Sequence, residues 1–123
     1  MLEWRCKRGS GMKKIEAIIR EEKLDIVRTA CEKNGYCGMT ITEVSGRGKQ
    51  RGVTLQWRVG EYHVDFLPKL KLELVVLDQD VPRVVNAITT AARTGDEGDG
   101  KIFIIPLDNA VRVRTGEDGD RAI

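Results

Sequence analysis

The chain has 123 residues, the size of one ordinary domain, and its 41% of hydrophobic residues is sufficient for one core. Twenty-one basic and 19 acidic residues leave a formal charge of +2, with both signs interspersed along most of the sequence. This balance argues against nucleic-acid binding driven by bulk charge. No apolar run is long enough to cross a bilayer and no secretory signal is recognisable, so we expect a cytoplasmic protein.

The cysteines and the N-terminal residues carry no recognisable site. Cys6, Cys31 and Cys37 are odd in number and lack the histidine cluster that would complete a zinc site, which favours reduced thiols. A catalytic cysteine is disfavoured because the one histidine, His63, falls in a predicted loop. The first patterned segment begins at Met12, so we predict a disordered extension over 1–11 and one domain over 12–123.

The first half of the domain reads as strand, helix and strand. Alternating apolar residues from Lys13 to Arg20 predict a strand with one buried face. Apolar residues spaced by three and four from Leu24 to Cys31 predict a helix, which the pair Asn34-Gly35 is suited to end. Alternation returns from Gly38 to Val44 and predicts a second strand.

The second half repeats this order. The run from Lys69 to Leu77 has an uninterrupted period of two and predicts the clearest strand of the chain. An apolar stripe from Val81 to Ala92 predicts a helix, with Asp78 or Asp80 as its cap and Gly95 as its end.

Two further segments predict strands and complete the fold class. KIFIIPL (101–107) reads as a buried strand, and VRVR (111–114) as a short alternating one. The order predicts an α+β, ferredoxin-like βαββαβ sandwich, in which one antiparallel sheet carries both helices on one face. The other face needs a cover that so short a chain does not provide, which favours self-association.

A long stretch over 48–67 separates the two halves. It has no helical pattern, and such stretches in compact domains are usually binding elements or disordered, so we predict a flexible binding loop. The alternative is an extended β-hairpin arm, because Val53, Leu55 and Trp57 alternate.

Two glycine-rich segments indicate anion binding. In TGDEGDGKIF (94–103), glycines permit backbone N–H groups to form an anion-binding nest, and Lys101 supplies a positive charge. Arg112 and Arg114 are two apart on the last predicted strand and would share a face. A second cluster, GRGKQRG (46–52), adds further cations, and together they favour a polyphosphate ligand. A helix-ending turn beside a solvated arginine pair is the alternative.

Five blocks of the sequence resemble the PII nitrogen-regulatory proteins: MKKIEAIIR, GMTITEV, EYHVDFLPK, ARTGDEGDGKIF and VRVRTGEDGDRAI. The resemblance covers Met12 to Ile123 without a gap. It implies a homotrimer of ferredoxin-like subunits that binds ATP or ADP in the clefts between neighbours and signals nitrogen status.

The resemblance also implies ligand-binding residues. Lys49 stands where an arginine is common in the family, which keeps the charge and removes the bidentate fork. Gln50 and Lys69 match the positions for 2-oxoglutarate, and Gln50 also matches the position for Mg²⁺. The positions that match the nucleotide site are Ile18, Thr40, Gly46, Gly48, Lys49, Gln50, Glu73, Gly98, Asp99, Gly100, Lys101, Arg112 and Arg114.

In the long loop, the resemblance implies modification and partner sites. Tyr62 matches a tyrosine that is uridylylated or adenylylated in bacterial relatives, although its altered neighbours favour an unmodified residue. Gly60 replaces the serine that cyanobacterial relatives phosphorylate, so that modification is excluded. Arg58 matches an arginine that relatives insert into an ammonium channel, and Trp57 beside it suits an interface anchor.

The resemblance implies an ammonium channel, glutamine synthetase or another nitrogen-metabolism protein as partner. It implies no direct nucleic-acid contact, and membrane contact only through a channel. The alternatives are a small enzyme acting on phosphoryl substrates, for which no nucleophile and base are evident, and a nucleotide-binding protein without a 2-oxoglutarate response. An RNA-recognition domain is disfavoured because Phe66 and Phe103 are the only phenylalanines.

Overall fold

The computed structural model describes residues 11–46, 53–57, 60–64 and 66–123, and for 53–57 and 60–64 it describes the backbone alone. Among these residues, no helix combines the length and apolarity needed to cross a bilayer. Short 3₁₀ turns precede both helices and follow the last strand. The elements are β1 (Met12–Ile19), α1 (Leu24–Lys33), β2 (Thr40–Gly46), β3 (Val53–Trp57), β4 (Gly60–Val64), β5 (Leu67–Leu77), α2 (Val81–Ala92) and β6 (Gly100–Leu107).

The four long strands form one antiparallel sheet in the order β2-β5-β1-β6. In its centre, Ile15 lies opposite Leu74 and Ala17 lies opposite Leu72, so these four side chains share one face. The predicted ferredoxin-like α+β fold is confirmed.

Both helices pack on that face of the sheet. Because the apolar side chains of β1 and β5 alternate, every second one points toward the helices and is buried. Val27 and Cys31 of α1 and Val84 and Ile88 of α2 are fully buried against them. Complete burial of such a side chain contributes about 1.5–3 kcal/mol, so this layer holds the sheet to the helices.

The two helices end differently from each other. At the end of α1, Gly35 has φ +88° and its N–H bonds the Glu32 carbonyl at 3.0 Å, while the Tyr36 N–H bonds the Cys31 carbonyl at 2.9 Å. This is a Schellman arrangement, so the predicted Asn34-Gly35 stop is confirmed. In contrast, α2 ends at Ala92, and the chain is already extended at Arg93, before the predicted stop at Gly95.

The predicted cap of α2 is wrong. Asp78 and Asp80 form a 3₁₀ turn ahead of the helix, and the residue at the cap position makes no side-chain capping bond. The Asp80 carboxylate instead accepts hydrogen bonds from the Tyr36 hydroxyl and the Arg83 guanidinium.

The stretch over 48–67 contains two strands. β3 and β4 pair antiparallel as a separate two-stranded sheet, with Val53 opposite Val64 and Leu55 opposite Tyr62. The prediction of a loop throughout is therefore wrong, and the hairpin alternative is confirmed. Residues 47–52, 58–59 and 65 lie outside the described part of the chain.

The predicted VRVR strand is also wrong. Val111 makes one isolated bridge to Asp118, and the chain turns between them. The turn is closed by bonds from the Gly116 N–H to the Arg112 carbonyl and from the Arg112 N–H to the Glu117 carbonyl, each 2.8 Å. Gly116 adopts φ +74°, which suits reversal of the chain and not a strand. The argument that Arg112 and Arg114 share a strand face therefore fails.

Only the last residue of the predicted N-terminal extension is described. The Gly11 carbonyl accepts a hydrogen bond from the Asp78 N–H at 3.0 Å, which joins it to the domain. Residues 1–10, including Cys6, lie outside the described residues.

Candidate functional site

Four chain segments meet at one end of the sheet. The end of β1 pairs with the starts of β5 and β6, because Ile19 lies opposite both Leu70 and Gly100. The end of β2 joins them, with Gly46 opposite Leu67. The glycine-lysine segment, Gly98–Lys101, therefore lies beside the end of β1, at the same end of the sheet as the start of β5 and the end of β2.

Gly100 fixes the approach of β6 to β1. Its φ is +110°, a conformation that residues with a side chain rarely adopt. A Cβ at this position would overlap the carbonyl oxygen of Ile18 and lie 3.3 Å from the Ile19 Cα. A glycine is therefore required here, and its close approach places Lys101 opposite Ile18.

The turn before β6 closes around the side chain of Asp99. The N–H groups of Thr94 and Gly95 both donate to Asp99 Oδ2 at 2.9 Å, and the Thr94 hydroxyl donates to Oδ1. Arg20, directly after β1, places Nε 3.2 Å from Asp99 Oδ1 and donates from Nη2 to the Glu97 carbonyl at 2.7 Å. The hydroxyl bond from Thr94, followed by that residue's backbone bond, holds the pKa of Asp99 well below its usual range.

Lys69, at the start of β5, reaches into the same turn. The residue is 8% exposed, and its Nζ donates to the Gly98 carbonyl. Burial lowers the pKa of the Lys69 ammonium, and the positive charge of Arg20 adds to this effect. The turn thus receives donors from both β1 and β5.

Two cavities lie on the domain, and the smaller one is at this end of the sheet. One, of about 320 Å³, lies between α2 and the start of β6, and Ile18, Asp99, Gly100 and Lys101 line it. The other, of about 730 Å³, is lined by residues that include Thr40 and Glu73, which pair across β2 and β5, and it extends to the C-terminal Ile123.

Glu73 belongs to an ion-pair group on the sheet face away from the helices. Its carboxylate lies 3.5 Å from both Lys14 Nζ and Lys71 Nζ, and Lys14 Nζ lies 3.0 Å from Glu16. The hydrogen bond that Lys14 donates to Glu16 raises the pKa of Lys14. Polar side chains on this open face therefore satisfy one another within the chain.

The structure brings together part of the predicted nucleotide set. Ile18 and the glycine-lysine segment converge, Lys69 from the predicted effector set bonds that segment, and a Cβ added at Gly46 would lie 3.4 Å from Lys69 Cγ. Arg112 and Arg114 are exposed in the C-terminal turn and line neither cavity. Outside the described residues or their described side chains lie Gly48, Lys49, Gln50, Trp57, Arg58 and Tyr62.

Arg20 and Thr94 were not predicted as site residues. Arg20 closes a strand and reads as an ordinary strand-end cation, while Thr94 reads as part of a helix-ending turn. A threonine followed by turn glycines and an aspartate is a signal for local side-chain bonds to the backbone, which would have singled out Thr94 and Asp99.

The comparisons with known proteins match nearly the whole domain. The family model described as Nitrogen regulatory protein P-II matches residues 12–117. The chain belongs to this family. A relative from Methanothermobacter thermautotrophicus, named Nitrogen regulatory protein P-II 2, is 55% identical over 91% of this chain and 97% of its own length. These names describe regulatory proteins and not enzymes.

Two further PII relatives extend the comparison. Nitrogen regulatory protein P-II from Synechocystis is 54% identical over 91% of this chain and all of its own length. A solved structure of Arabidopsis thaliana PII bound to citrate has a TM-score of 0.76 and 38% identity, covering 93% of this chain and 94% of the other. The resemblance noted in the sequence is confirmed, and with it membership of a signalling family.

Proposed function

We propose that this protein signals nitrogen status by binding ATP or ADP, together with Mg²⁺-dependent 2-oxoglutarate, in clefts between the subunits of a homotrimer. Occupancy of these clefts sets the conformation of the 48–67 segment, which contacts partner proteins. The proposal includes no catalytic residue.

The observation that carries this proposal is the gathering of cations at the glycine-lysine segment. Arg20 and Lys69 bind the turn before β6, and Lys101 follows it directly. Because Gly100 brings the backbone close to β1, Lys101 emerges beside the smaller cavity. An ammonium group and a glycine-rich backbone are suited to phosphate oxygens. This arrangement supports the roles of Gly98, Gly100 and Lys101 at the polyphosphate, while Thr40 and Glu73 line the larger, separate cavity.

A carboxylate effector suits Lys69. An ammonium group with three donors can bind both the Gly98 carbonyl and a carboxylate. The relative from Arabidopsis was solved with citrate, which is likewise a carboxylate. We assign 2-oxoglutarate to Lys69 and Gln50, and Mg²⁺ to Gln50 with the nucleotide phosphates.

Self-association follows from the uncovered side of the sheet. Phe103 lies on the face away from the helices and is 44% exposed, and Ile104, on the helix side of the edge strand β6, is 47% exposed. A second copy would remove these side chains from water, as is usual for closed oligomers. In such an assembly the exposed Arg112 and Arg114 would reach the nucleotide of the adjacent subunit.

Partner recognition is assigned to the β3–β4 hairpin. Trp57 ends β3 and Tyr62 lies in β4, with Arg58 in the connection between the two strands. An aromatic side chain and an arginine are the residue types that most often anchor interfaces. We propose an ammonium channel, glutamine synthetase or another nitrogen-metabolism protein as the partner, and Tyr62 as the position for any nucleotidyl modification.

Isothermal titration calorimetry tests the shared site. If Mg²⁺ joins the two ligands, 2-oxoglutarate binds more tightly with MgATP present by about 1–3 kcal/mol, and MgATP binds more tightly with 2-oxoglutarate by the same amount. Lys69→Met should lose the effector and, because Lys69 also pairs with the Gly98 carbonyl, should lose a smaller part of its nucleotide affinity. Equal 2-oxoglutarate affinity with and without MgATP would refute the shared site.

A further inference from the structure

The backbone donors of the turn before β6 are occupied by the chain's own carboxylate. Thr94 N–H and Gly95 N–H converge on one oxygen of Asp99, which is the arrangement that an anion-binding nest offers to a ligand. The Thr94 hydroxyl binds the other oxygen of Asp99 and also accepts the Asp96 N–H at 3.2 Å. Asp99 therefore acts as an internal anion that orders this turn before any ligand arrives.

Arg20 joins this turn to the sheet. Its guanidinium bonds both the Asp99 carboxylate and the Glu97 carbonyl, a geometry that a lysine ammonium reproduces poorly. Arg20 directly follows Ile18 and Ile19, whose partners across the sheet are Lys101 and Gly100. One strand end therefore holds both the turn and the segment that follows it.

Acceptor oxygens of the turn form hydrogen bonds with cationic side chains of the same chain. Arg20 takes the Glu97 carbonyl and the Asp99 carboxylate, and Lys69 takes the Gly98 carbonyl. Three oxygens that would otherwise repel a phosphate are thereby paired with two cations. A segment whose acceptors are satisfied in this way presents its remaining donors and positive charge to an anion.

We propose that Asp99 and Arg20 are positioning residues of the nucleotide site, holding Gly98–Lys101 in the form that receives phosphate without themselves touching it. The inference rests on the proposed function. It assigns Asp99 to the residues that hold the turn in place and not to those that contact the nucleotide. It also makes a prediction of sign. A carboxylate that merely lay near phosphate would repel it, so its removal would tighten nucleotide binding. Removal of a carboxylate that positions the segment would instead weaken nucleotide binding.

The test compares Asp99→Asn with Asp96→Asn. Both variants remove one negative charge from the same turn. An amide in place of the Asp99 carboxylate has one acceptor oxygen, so it can keep the two N–H bonds only by turning its NH2 group toward the Thr94 hydroxyl and the Arg20 guanidinium, where the contact with Arg20 is lost. We expect Asp99→Asn to weaken MgATP and ADP binding at least about tenfold in calorimetry, and Asp96→Asn to leave it unchanged or slightly tighter. Arg20→Met should weaken binding similarly, with partial recovery in Arg20→Lys.

Hydrogen exchange of the nucleotide-free protein provides a readout independent of ligand. Protection of the Thr94 and Gly95 amides should be present in the wild type and in Asp96→Asn, and lost in Asp99→Ala, which has no acceptor for them, while the amides of β1 and β5 keep theirs. Unchanged protection in Asp99→Ala would overturn the positioning role.

The outcomes separate this inference from the function on which it rests. A wild-type protein with no affinity for adenylates would refute the proposed function, and exchange at Thr94 and Gly95 would still decide whether Asp99 orders the turn. A wild type that binds adenylates, with an Asp99→Asn variant that binds them equally or more tightly, would overturn the positioning role alone.

Discussion

Replacing Gly100 by alanine should damage the protein more than replacing any exposed turn glycine. Gly100 has φ +110°, and the Ile18 carbonyl oxygen occupies the space that a Cβ at this position would fill. Gly95 has a similar φ of +95°, but a Cβ there would meet nothing within 4 Å. The pair of variants therefore separates backbone strain, which both share, from a steric overlap that only Gly100→Ala creates.

The expected magnitudes follow from these two terms. A side chain forced into this backbone region costs about 1–3 kcal/mol, which is the whole expectation for Gly95→Ala. Overpacking against the backbone of Ile18 adds about 1–3 kcal/mol, so Gly100→Ala should cost about 2–6 kcal/mol in the free energy of unfolding. Because relief of the overlap pushes β6 away from β1, Lys101 should also move and nucleotide affinity should fall.

Urea denaturation followed by circular dichroism measures the difference. All variants must be compared at one protein concentration, since the proposed association would make stability depend on it. With a slope of about 1–3 kcal/mol/M, an additional 2 kcal/mol lowers the midpoint of Gly100→Ala by roughly 1 M relative to Gly95→Ala. Coincident midpoints for the two variants would refute the steric argument.

Three further predictions concern other parts of the molecule. Lys101→Ala should weaken nucleotide binding by about 1.5–3 kcal/mol in calorimetry and leave the oligomer intact by sedimentation; unchanged affinity would remove Lys101 from the site. Burial, followed by the hydrogen bond to Asp80, raises the pKa of Tyr36 to about 12. Because the folded value exceeds the ordinary 10.0, this contribution to stability should be lost as pH rises between the two, and Asp80→Asn should lower the midpoint of tyrosinate absorbance. Ile88→Ala, in the core, should cost about 2–5 kcal/mol of unfolding free energy, whereas Ile26→Ala, at a position 52% exposed, should cost less than about 0.5; equal losses would place the core elsewhere.

The main sheet was predictable because its strands have one buried face. Alternation of apolar residues in β1 and β5 indicates which side chains face the helices. The Asn34-Gly35 pair indicates where the backbone can take the positive φ that ends α1. The same alternation misled at 111–114, where no neighbouring strand continues the pairing and Gly116 turns the chain. Alternation is a consequence of a buried face, and a short run of it does not establish one.

The residue types of the candidate site could be read from the sequence, but their contacts could not. The glycines and Lys101 indicated an anion site, but the pattern did not distinguish a nest that awaits a ligand from one filled by a side chain of the protein. That distinction depends on Arg20, which is separated from Asp99 by 79 positions. The role proposed for Arg112 and Arg114 would likewise depend on contacts between copies, which no periodicity within one chain encodes.

The central claim, that the glycine-lysine segment receives nucleotide phosphate, is tested most directly by amide resonances during titration with MgATP. The account predicts saturable shifts that are largest at Gly98–Lys101, with smaller ones at Thr40 and Glu73 and none along the outer face of α1. Saturating MgATP that leaves Gly98–Lys101 unshifted, while resonances elsewhere respond or none respond at all, would contradict it.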